Sequence, residues 1–450
     1  LQKITAGTLS LGELINEAGG LIAAGQKPLA QELYKIWISF GREHPQRFVA
    51  HYNLSGLLTE TGDLAGAAEQ LKAALALNAE FLPGYINLGG VFDRAGARDQ
   101  AMEQWRAALA RLAPVTGQAV GYKVAALKQI ARVLVDTHQT EGAEPLLREA
   151  LSLNPNQRDV MEQFLSLRLS QCRWPVMEPW EEIDRKTLVA SVHPLSMGAY
   201  TDDPLLQLAA ASRYVDRAVK AGPSDGPSDR RDAPIDLSSR RLRVGYVSSD
   251  LRDHAVGYLM AELFELHDRS KIEVFAYYCG IPSTEGLTTR IQGAIEHWTD
   301  IRSMTDEEAA QKIAADGIDI LVDVNGHTRD SRTGVFARRP APIQVNWLGY
   351  PGTMGSPYHH YMVADPWIIP PEFELYYSEK VLRLPCYQPN DRKRAVSADP
   401  PTRAQFGLPE DGVVFCCFNG TQKITRFTFE RWVEILKRTP GSVLWLLDTT

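Results

Sequence analysis

Cysteines are few in this sequence, and no pattern in it would pair them. The five cysteines are spread along the chain without a C-x-x-C motif: Cys172, Cys279, Cys386, Cys416 and Cys417. A disulfide framework or a zinc site is therefore not expected, and a reducing cytoplasm is the expected location. The first residues show no charged leader before an apolar core, and no run reaches the roughly eighteen apolar residues of a membrane span. The sequence predicts neither a signal peptide nor a membrane protein.

An excess of positive charge is also missing. Lys and Arg number 48 against 55 Asp and Glu, which gives a net charge of −7. This balance argues against a protein whose general partner is nucleic acid or an anionic membrane. The length of 450 residues is more than one ordinary core accommodates, so two or three domains are expected.

Two segments in the first third repeat each other with a shift of 34 residues. Residues 51–78 and 85–112 place large and small side chains at equivalent positions: Leu54 and Leu88, Gly62 and Gly96, Ala67 and Ala101, Leu71 and Trp105, Ala74 and Ala108. The spacing resembles the tetratricopeptide repeat, a helix–turn–helix unit that stacks into an array with a concave groove. The alternative is that two amphipathic helical hairpins resemble each other by chance.

Further copies flank this pair. A later copy uses Ala143, Leu147, Ala150 and Pro155, after an insertion of about eight residues in the helix pair before it. A degenerate earlier copy uses Gly25, Ala30 and Tyr34. We therefore expect tetratricopeptide-like repeats over residues 1–160, with the groove as a surface for a protein or peptide.

The rest of the chain changes character twice. Residues 161–220 read as a helical connector, and residues 221–238 as a linker rich in Pro, Gly, Ser and Asp. Residues 239–405 alternate continuous apolar strands with helices, which is typical of a parallel sheet covered on both faces. A second alternating module opens at 406 and stops at 450 after one strand–helix–strand unit, so we expect the native protein to continue.

Polar or glycine-rich loops follow four of the predicted strands. In open α/β sheets, ligands bind outside the carboxyl ends of the strands, so these loops predict a cleft. The candidate residues are His254; Asp323, Asn325, His327 and Thr328; Gly349, Tyr350, Pro351 and Gly352; and Asn419, Gln422 and Lys423.

Taken one at a time, these residues leave other interpretations open. His254 is equally a surface histidine of an ordinary loop, and His327 a residue of a turn. Lys423, near a predicted helix start, suits a phosphate or is simply a solvated charge. No G-x-G-x-x-G fingerprint follows the first strand and no Walker loop is present.

Several ordered phrases together resemble the O-linked N-acetylglucosamine transferase family. They are RLRVGYVSSDLRDHAVGYLM, DILVDVNGHTRDSR, FARRPAPIQVNWLGYPGTMGSPY, YSEKVLRLPCYQPN and GLPEDGVVFCCFNGTQKI. The similarity runs from about residue 165 to residue 447, and the composition is like that of a bacterial member. The resemblance implies a tetratricopeptide-repeat superhelix followed by an α/β fold of the GT-B type, with two Rossmann-like lobes of which the second is truncated here.

The resemblance also implies an activity. Members transfer N-acetylglucosamine from UDP-N-acetylglucosamine to Ser or Thr hydroxyls of proteins, with inversion and without a metal or other cofactor. The implied partners are the UDP-sugar donor and a protein or peptide acceptor that the repeat groove guides. Two alternatives stay open: a related transferase with another donor such as GDP-fucose, and a repeat scaffold whose transferase domain is vestigial.

Family roles transfer to matching positions of this sequence. His254 matches the family histidine that acts as base or orients the sugar or acceptor, and Lys423 matches the lysine that meets the diphosphate. The loop from Asp323 to Thr328 matches the one that lines the sugar site. Gly349–Gly352 match the loop on the sugar and acceptor side, and Asn419 and Gln422 belong to the loop of Lys423. Gly420 departs from the glutamine of animal members, which puts that nucleotide contact in doubt.

Overall fold

The chain forms two units, of which one ends at Ser191 and the other runs from Val192 to Leu447. The computed structural model describes residues 8–41, 43–112, 117, 119–181, 183–219, 235 and 237–447. The division falls inside the predicted helical connector, residues 161–220. Most of the predicted linker, residues 221–234 and 236, lies outside the described residues, as do residues 448–450.

The first unit consists of successive helices joined mostly by short turns. They are α1 (Leu11–Ala23), α2 (Lys27–Phe40), α3 (Arg47–Glu60), α4 (Leu64–Leu77), α5 (Leu82–Arg94), α6 (Arg98–Ala110), α7 (Ala119–Asp136), α8 (Ala143–Leu153), α9 (Arg158–Ser170) and α10 (Arg185–Ala190). The helical repeat array predicted from the 34-residue shift is confirmed. α7 spans 18 residues where α5 spans 13, in the region where the insertion was expected.

The repeat positions are the ones that fill the core of this unit. Leu71 and Trp105, equivalent large residues, are both buried. Trp105 packs where Gly89 leaves room, since a Cβ on Gly89 would lie 2.3 Å from the indole nitrogen. That nitrogen donates to the carbonyl of Ile86 at 3.2 Å. Gly62, with a φ of +86°, forms the turn between two paired helices, a left-handed conformation that side chains disfavour.

The second unit is built around a seven-stranded sheet. Its strands are β1 (Leu242–Ser248), β2 (Ile272–Tyr278), β3 (His297–Asp300), β4 (Ile320–Asp323), β5 (Ile343–Asn346), β6 (Tyr361–Ala364) and β7 (Lys380–Arg383). Their order is β3-β2-β1-β4-β5-β6-β7, and every neighbouring pair is parallel. The predicted parallel sheet is therefore confirmed.

Helices cover both faces of this sheet. The helices of the second unit are α11 (Pro194–Met197), α12 (Pro204–Ala218), α13 (Ala255–Leu266), α14 (Gly286–Ala294), α15 (Asp306–Ala315), α16 (Thr333–Ala337) and α17 (Arg426–Arg438). Tyr246 packs with Phe264 of α13 on one face, and Val247, the next residue of β1, packs with Ile313 of α15 on the other. Alternate β1 side chains thus enter two cores, which explains the almost continuous apolar run.

The last residues begin another sheet. β8 (Val414–Cys417) and β9 (Val443–Leu446) pair in parallel, and α17 lies between them in sequence. No residue of α17 is buried. Across the described residues, no helix has the length and apolar character needed to cross a membrane.

Candidate functional site

The polar loops meet where the strand order reverses. The chain proceeds from β1 outward to β2 and β3, then returns so that β4 lies on the other side of β1. The loops after β1 and β4 therefore leave neighbouring strands at the same edge of the sheet, and the loop after β5 lies next to them. Such a switch point is the usual ligand crevice of an open α/β sheet. The structure thus brings together three of the four predicted loops.

Asn325 ties the loop after β4 to the loop after β1. Its Oδ1 accepts from the backbone N–H of Ser249 at 2.8 Å. Its Nδ2 lies 2.7 Å from Ser249 Oγ, 3.0 Å from an Asp250 carboxylate oxygen and 3.0 Å from Thr328 Oγ1. Asn325 is only 1% exposed. One amide side chain therefore fixes both loops relative to each other.

Asp323, the last residue of β4, shapes the turn that follows. One carboxylate oxygen accepts from the backbone N–H groups of Asn325 at 3.0 Å and Gly326 at 2.8 Å. The other lies 3.0 Å from Nε2 of His359, whose Nδ1 is 2.9 Å from Ser356 Oγ. All these side chains are buried. The Ser–His–Asp order resembles a hydrolase triad, but a buried Ser356 hydroxyl offers no access to a substrate, so the three residues support the loop.

His327 joins the same turn to the glycine-rich loop after β5. Its Nε2 donates to the carbonyl of Met354 at 2.8 Å, and its ring packs against Tyr214 of α12 and Tyr350, with centroids 4.9 and 5.1 Å away. Burial lowers the pKa of His327 to about 4. The ring is therefore neutral at physiological pH, and it connects the two loops by packing and by its hydrogen bond.

The glycine-rich loop after β5 packs closely against the backbone at the end of β4. A Cβ on Gly349 would come within 2.1 Å of the Val324 carbonyl, so only glycine fits beside the end of β4. Tyr350 is buried, and its carbonyl accepts from Asn346 Nδ2 at 3.0 Å. Burial raises the pKa of Tyr350, so the phenol stays neutral. Pro351 is exposed, which leaves it as the loop residue presented to solvent.

His254 occupies the start of α13. Its Nδ1 accepts from the backbone N–H of Val256 at 3.3 Å, so the side chain caps the helix. The same nitrogen is 3.8 Å from an Asp250 carboxylate oxygen. The side chain is 41% exposed, unlike Asn325 and His327. Among the residues predicted in these three loops, His254 is the titratable side chain that solvent and a ligand can reach.

The fourth predicted loop, which follows β8, is not connected to the other three loops by the side-chain interactions of the described residues. Asn419, Gln422 and Lys423 are exposed, and Asn419 Nδ2 contacts only Cys417 Sγ, at 3.7 Å, within the described chain. Lys423 ends a 3-10 turn, Thr421–Lys423, just before α17, whose first turn Thr425 caps. A helix N-terminus and a lysine together favour an anion. Across the described residues, no hydrogen bond, ion pair or ring contact joins these three side chains to the other loops.

Four residues of the site lay outside the sequence-based prediction. Ser356 and His359 precede a strand, Glu379 precedes another, and Tyr214 lies on a helix of the connector. Glu379 accepts from Thr353 Oγ1 at 2.9 Å and from the Met354 N–H at 2.7 Å. The prediction searched only behind strand ends, so it overlooked supporting residues that lie before a strand or on a helix. The signal in the sequence that could have found them was a polar residue next to an apolar run.

No group of three or more His, Cys, Asp or Glu side chains in the described parts of the chain is arranged to hold a metal ion. The charged residues near the crevice are instead engaged with one another. Glu262 of α13, buried, binds the guanidinium and backbone N–H of Arg392. Arg290 of α14 bridges Glu265 and Asp391. These pairs attach the segment after β7 to the helix that His254 caps.

Comparison with known proteins agrees with the fold. Residues 226–389 and 390–449 match glycosyl transferase family 41. A probable UDP-N-acetylglucosamine–peptide N-acetylglucosaminyltransferase of Arabidopsis thaliana, named SEC, is 38% identical over 58% of this chain and 28% of its own length. A UDP-N-acetylglucosamine–peptide N-acetylglucosaminyltransferase of Caenorhabditis elegans is 26% identical over 58% of this chain and 33% of its own length. The chain spans about a third or less of these two relatives.

A solved structure covers more of the chain. It is a lysine-to-methionine mutant of the Thermobaculum terrenum O-GlcNAc transferase, 27% identical, with a TM-score of 0.57 over 89% of this chain and 68% of that one. The match extends over helical repeats and parallel-sheet unit together, in the order predicted from the sequence.

Proposed function

Since residues 226–449 make this chain a member of glycosyl transferase family 41, we propose that the protein transfers N-acetylglucosamine from UDP-N-acetylglucosamine to Ser or Thr hydroxyls of proteins, with inversion and without a metal. The observation that carries the proposal is the meeting of the β1, β4 and β5 loops at the switch point, on a chain whose relatives are named for this transfer. An inverting displacement needs an aligned hydroxyl, a proton acceptor and stabilisation of the departing diphosphate.

His254 is the residue that we place at the reacting groups. Because its Nδ1 accepts the Val256 N–H, the neutral ring carries its proton on Nε2. In this tautomer Nε2 donates a hydrogen bond to a substrate oxygen and orients it. Service as a base requires the other tautomer, in which Nδ1–H turns to Asp250 at 3.8 Å and the helix cap is lost. The cap therefore favours the orienting role.

Substitutions at His254 separate the two roles. His254→Ala is expected to abolish transfer while UDP binding is retained. His254→Gln keeps a side-chain N–H donor but no base, so the orienting role predicts clear residual activity. Rates in single-turnover assays with saturating donor decide the matter, since a Gln variant as inactive as the Ala variant would contradict the orienting role.

Lys423 is the group that we assign to the diphosphate. It is exposed, and it stands immediately before the capped N-terminus of α17, where backbone N–H groups favour negative charge. A cation here stabilises the leaving group as its charge develops. Asn419 and Gln422, exposed on the same loop, are proposed to contact the nucleotide. Calorimetric titration with UDP should show much weaker binding for Lys423→Ala, and unchanged affinity would refute this assignment.

We propose that the buried turn after β4 contributes to the sugar site mainly through its backbone. Asp323, Asn325 and His327 are buried, and each forms hydrogen bonds within the protein, so we propose that their part is to fix the loop. Thr328, partly exposed, and the loop of Gly349–Gly352, with Pro351 exposed, are the parts proposed to face sugar and acceptor.

The repeat array is proposed to guide the acceptor polypeptide. A concave pocket of about 440 Å³ is lined chiefly by α3, α5 and α7, with Thr59, Asn87 and Gln129 among its polar residues. Polar side chains at successive repeats suit an extended peptide, whose backbone carries donors and acceptors along its length. We also propose a reducing cytoplasm as the location, because none of the cysteines in the described chain forms a disulfide. Binding of GDP-fucose in these assays would indicate the alternative donor. Absence of both donor binding and transfer would indicate a vestigial transferase domain.

A further inference from the structure

A second cavity adjoins the glycine-rich loop, away from the residues assigned so far. It measures about 220 Å³, and its lining includes Asp202, Thr353, Ile368, Phe373, Tyr376 and Tyr377. All of these residues belong to the second unit. Thr353 is three residues beyond Tyr350 on the loop, so this cavity shares a wall with the region proposed to face the acceptor.

The walls of the cavity are held in place by hydrogen bonds. Thr353 Oγ1 is 2.9 Å from the buried Glu379 carboxylate. The Tyr377 hydroxyl donates to the carbonyl of Pro351 at 3.2 Å. Ile369, which also lines the cavity, is fully buried. The cavity is therefore built on the same backbone as the glycine-rich loop.

Aromatic rings make up much of its lining. The Phe373 and Tyr376 rings lie 6.0 Å apart at 44°, and Tyr377 adds a third ring. Burial raises the pKa of Tyr377 to about 12, so its phenol is uncharged at neutral pH. Faces of such rings carry negative electrostatic potential and attract cations.

The charge at the cavity is also negative. Asp202 is the one charged residue among the lining residues, and it is exposed. Within the described parts of the chain its carboxylate has no ion-pair or hydrogen-bond partner, whereas its neighbour Asp203 caps α12 through the Leu205 N–H at 2.9 Å. The Asp202 carboxylate can therefore pair with a ligand on the rim of an aromatic cavity.

We propose that this cavity binds the cationic side chain of a lysine or arginine in the acceptor polypeptide, close in sequence to the hydroxyl that is modified. The proposal rests on the proposed transfer to proteins, since that reaction brings a polypeptide to the glycine-rich loop. A purely apolar side chain would leave Asp202 facing it unpaired, and an acidic one would be repelled. A cation satisfies both the carboxylate and the ring faces.

Peptide acceptors that differ by one charge test this site. Serine peptides carry arginine, citrulline or norleucine at successive positions on either side of the serine, and kcat/KM is measured with the full-length protein and UDP-N-acetylglucosamine. At one position or two adjacent ones, arginine should exceed citrulline about three- to tenfold, the range expected for a partly exposed cation site. Asp202→Asn and Phe373→Leu should each reduce this ratio to near one while leaving kcat/KM for the citrulline peptide unchanged.

Glu372→Gln is the matched control, because Glu372 is exposed on the same 3-10 turn as Phe373 but does not line the cavity. Circular dichroism melting shows whether each variant folds. Equal rates for arginine, citrulline and norleucine at every position would overturn the site while leaving the transferase activity intact. A preference that survives both Asp202→Asn and Phe373→Leu would overturn it too. Failure to modify any peptide would refute the proposed function and, with it, this acceptor site.

Discussion

The crevice depends on one buried amide, and its removal has a calculable cost. Asn325→Ala leaves the Ser249 N–H without its acceptor and the Asp250 carboxylate without one donor. An orphaned buried donor costs about 1–3 kcal/mol, and a lost hydrogen bond to a charged group about 1.5–3 kcal/mol. We therefore expect the local free energy of opening to fall by about 3–5 kcal/mol.

Hydrogen exchange measures this opening where it occurs. Peptides that cover the ends of β1 and β4 should exchange roughly a hundred to several thousand times faster in Asn325→Ala than in the wild type, whereas the helical repeats should exchange as before. Asn156→Ala, at an exposed position in the first unit, serves as a control and should change nothing measurable. If the ends of β1 and β4 exchange in Asn325→Ala at the same rate as in the wild type, the view that Asn325 holds the loops together is refuted.

An isosteric change at the same position adds a pH signature. Asn325→Asp keeps an acceptor for the Ser249 N–H but sets a carboxylate about 3.0 Å from that of Asp250. Two such charges raise the pKa of the pair in the folded state. Folding then binds protons, so the variant should lose stability as the pH rises from about 4 toward 7. The same loss at pH 5 and pH 7 would contradict this reading of the contact.

Three further predictions concern neighbouring residues. His327, with a pKa lowered to about 4 by burial, should make the wild type lose about 3 kcal/mol of stability as the pH falls from 6.5 to 4. The unfolding free energy of His327→Phe should lack this loss, and equal pH slopes in urea titrations would contradict it. Glu265, with a pKa lowered to about 2 by its hydrogen bonds to Arg290 and Lys393, stabilises the fold above about pH 4.5. The difference in melting temperature between wild type and Glu265→Gln should therefore shrink from pH 5 to pH 2; a constant difference would count against the ion pair. Gly355→Ala, at φ +59° with Ser212 N 2.5 Å from the new Cβ, should lower the melting temperature more than Gly407→Ala, at φ +63° with open space, and equal shifts would show that the approach of α12 is unimportant.

The repeat array and the parallel sheet could be predicted from patterns in the sequence. Leu71 and Trp105 recur at one period because each fills the same gap between helices. The apolar run of β1 indicates burial on both faces, which Tyr246 and Val247 confirm by entering different cores. β3 and β7 are harder to predict, because they lie at the edges of the sheet, where residues such as His297 and Lys380 remain exposed and the continuous apolar pattern is absent.

The crevice was predictable only in part. Loops behind parallel strands must meet at one edge, so His254 and Asn325 could be grouped from topology alone. The partners Ser356, His359 and Tyr214 could not, because their contacts depend on how the chain returns to the turn from later or earlier elements. Sequence also assigned Asn325 and His327 to substrate without showing that both are buried. Their burial favours the supporting role proposed for both, whereas the His254 side chain is exposed.

Donor binding to the full-length protein tests the central claim most directly. Calorimetric titrations should show binding of UDP and UDP-N-acetylglucosamine, both much weakened by Lys423→Ala, and little or no binding of GDP-fucose. Preferential binding of GDP-fucose, or no binding of any nucleotide sugar, would contradict the proposal that this protein is a UDP-N-acetylglucosamine-dependent transferase.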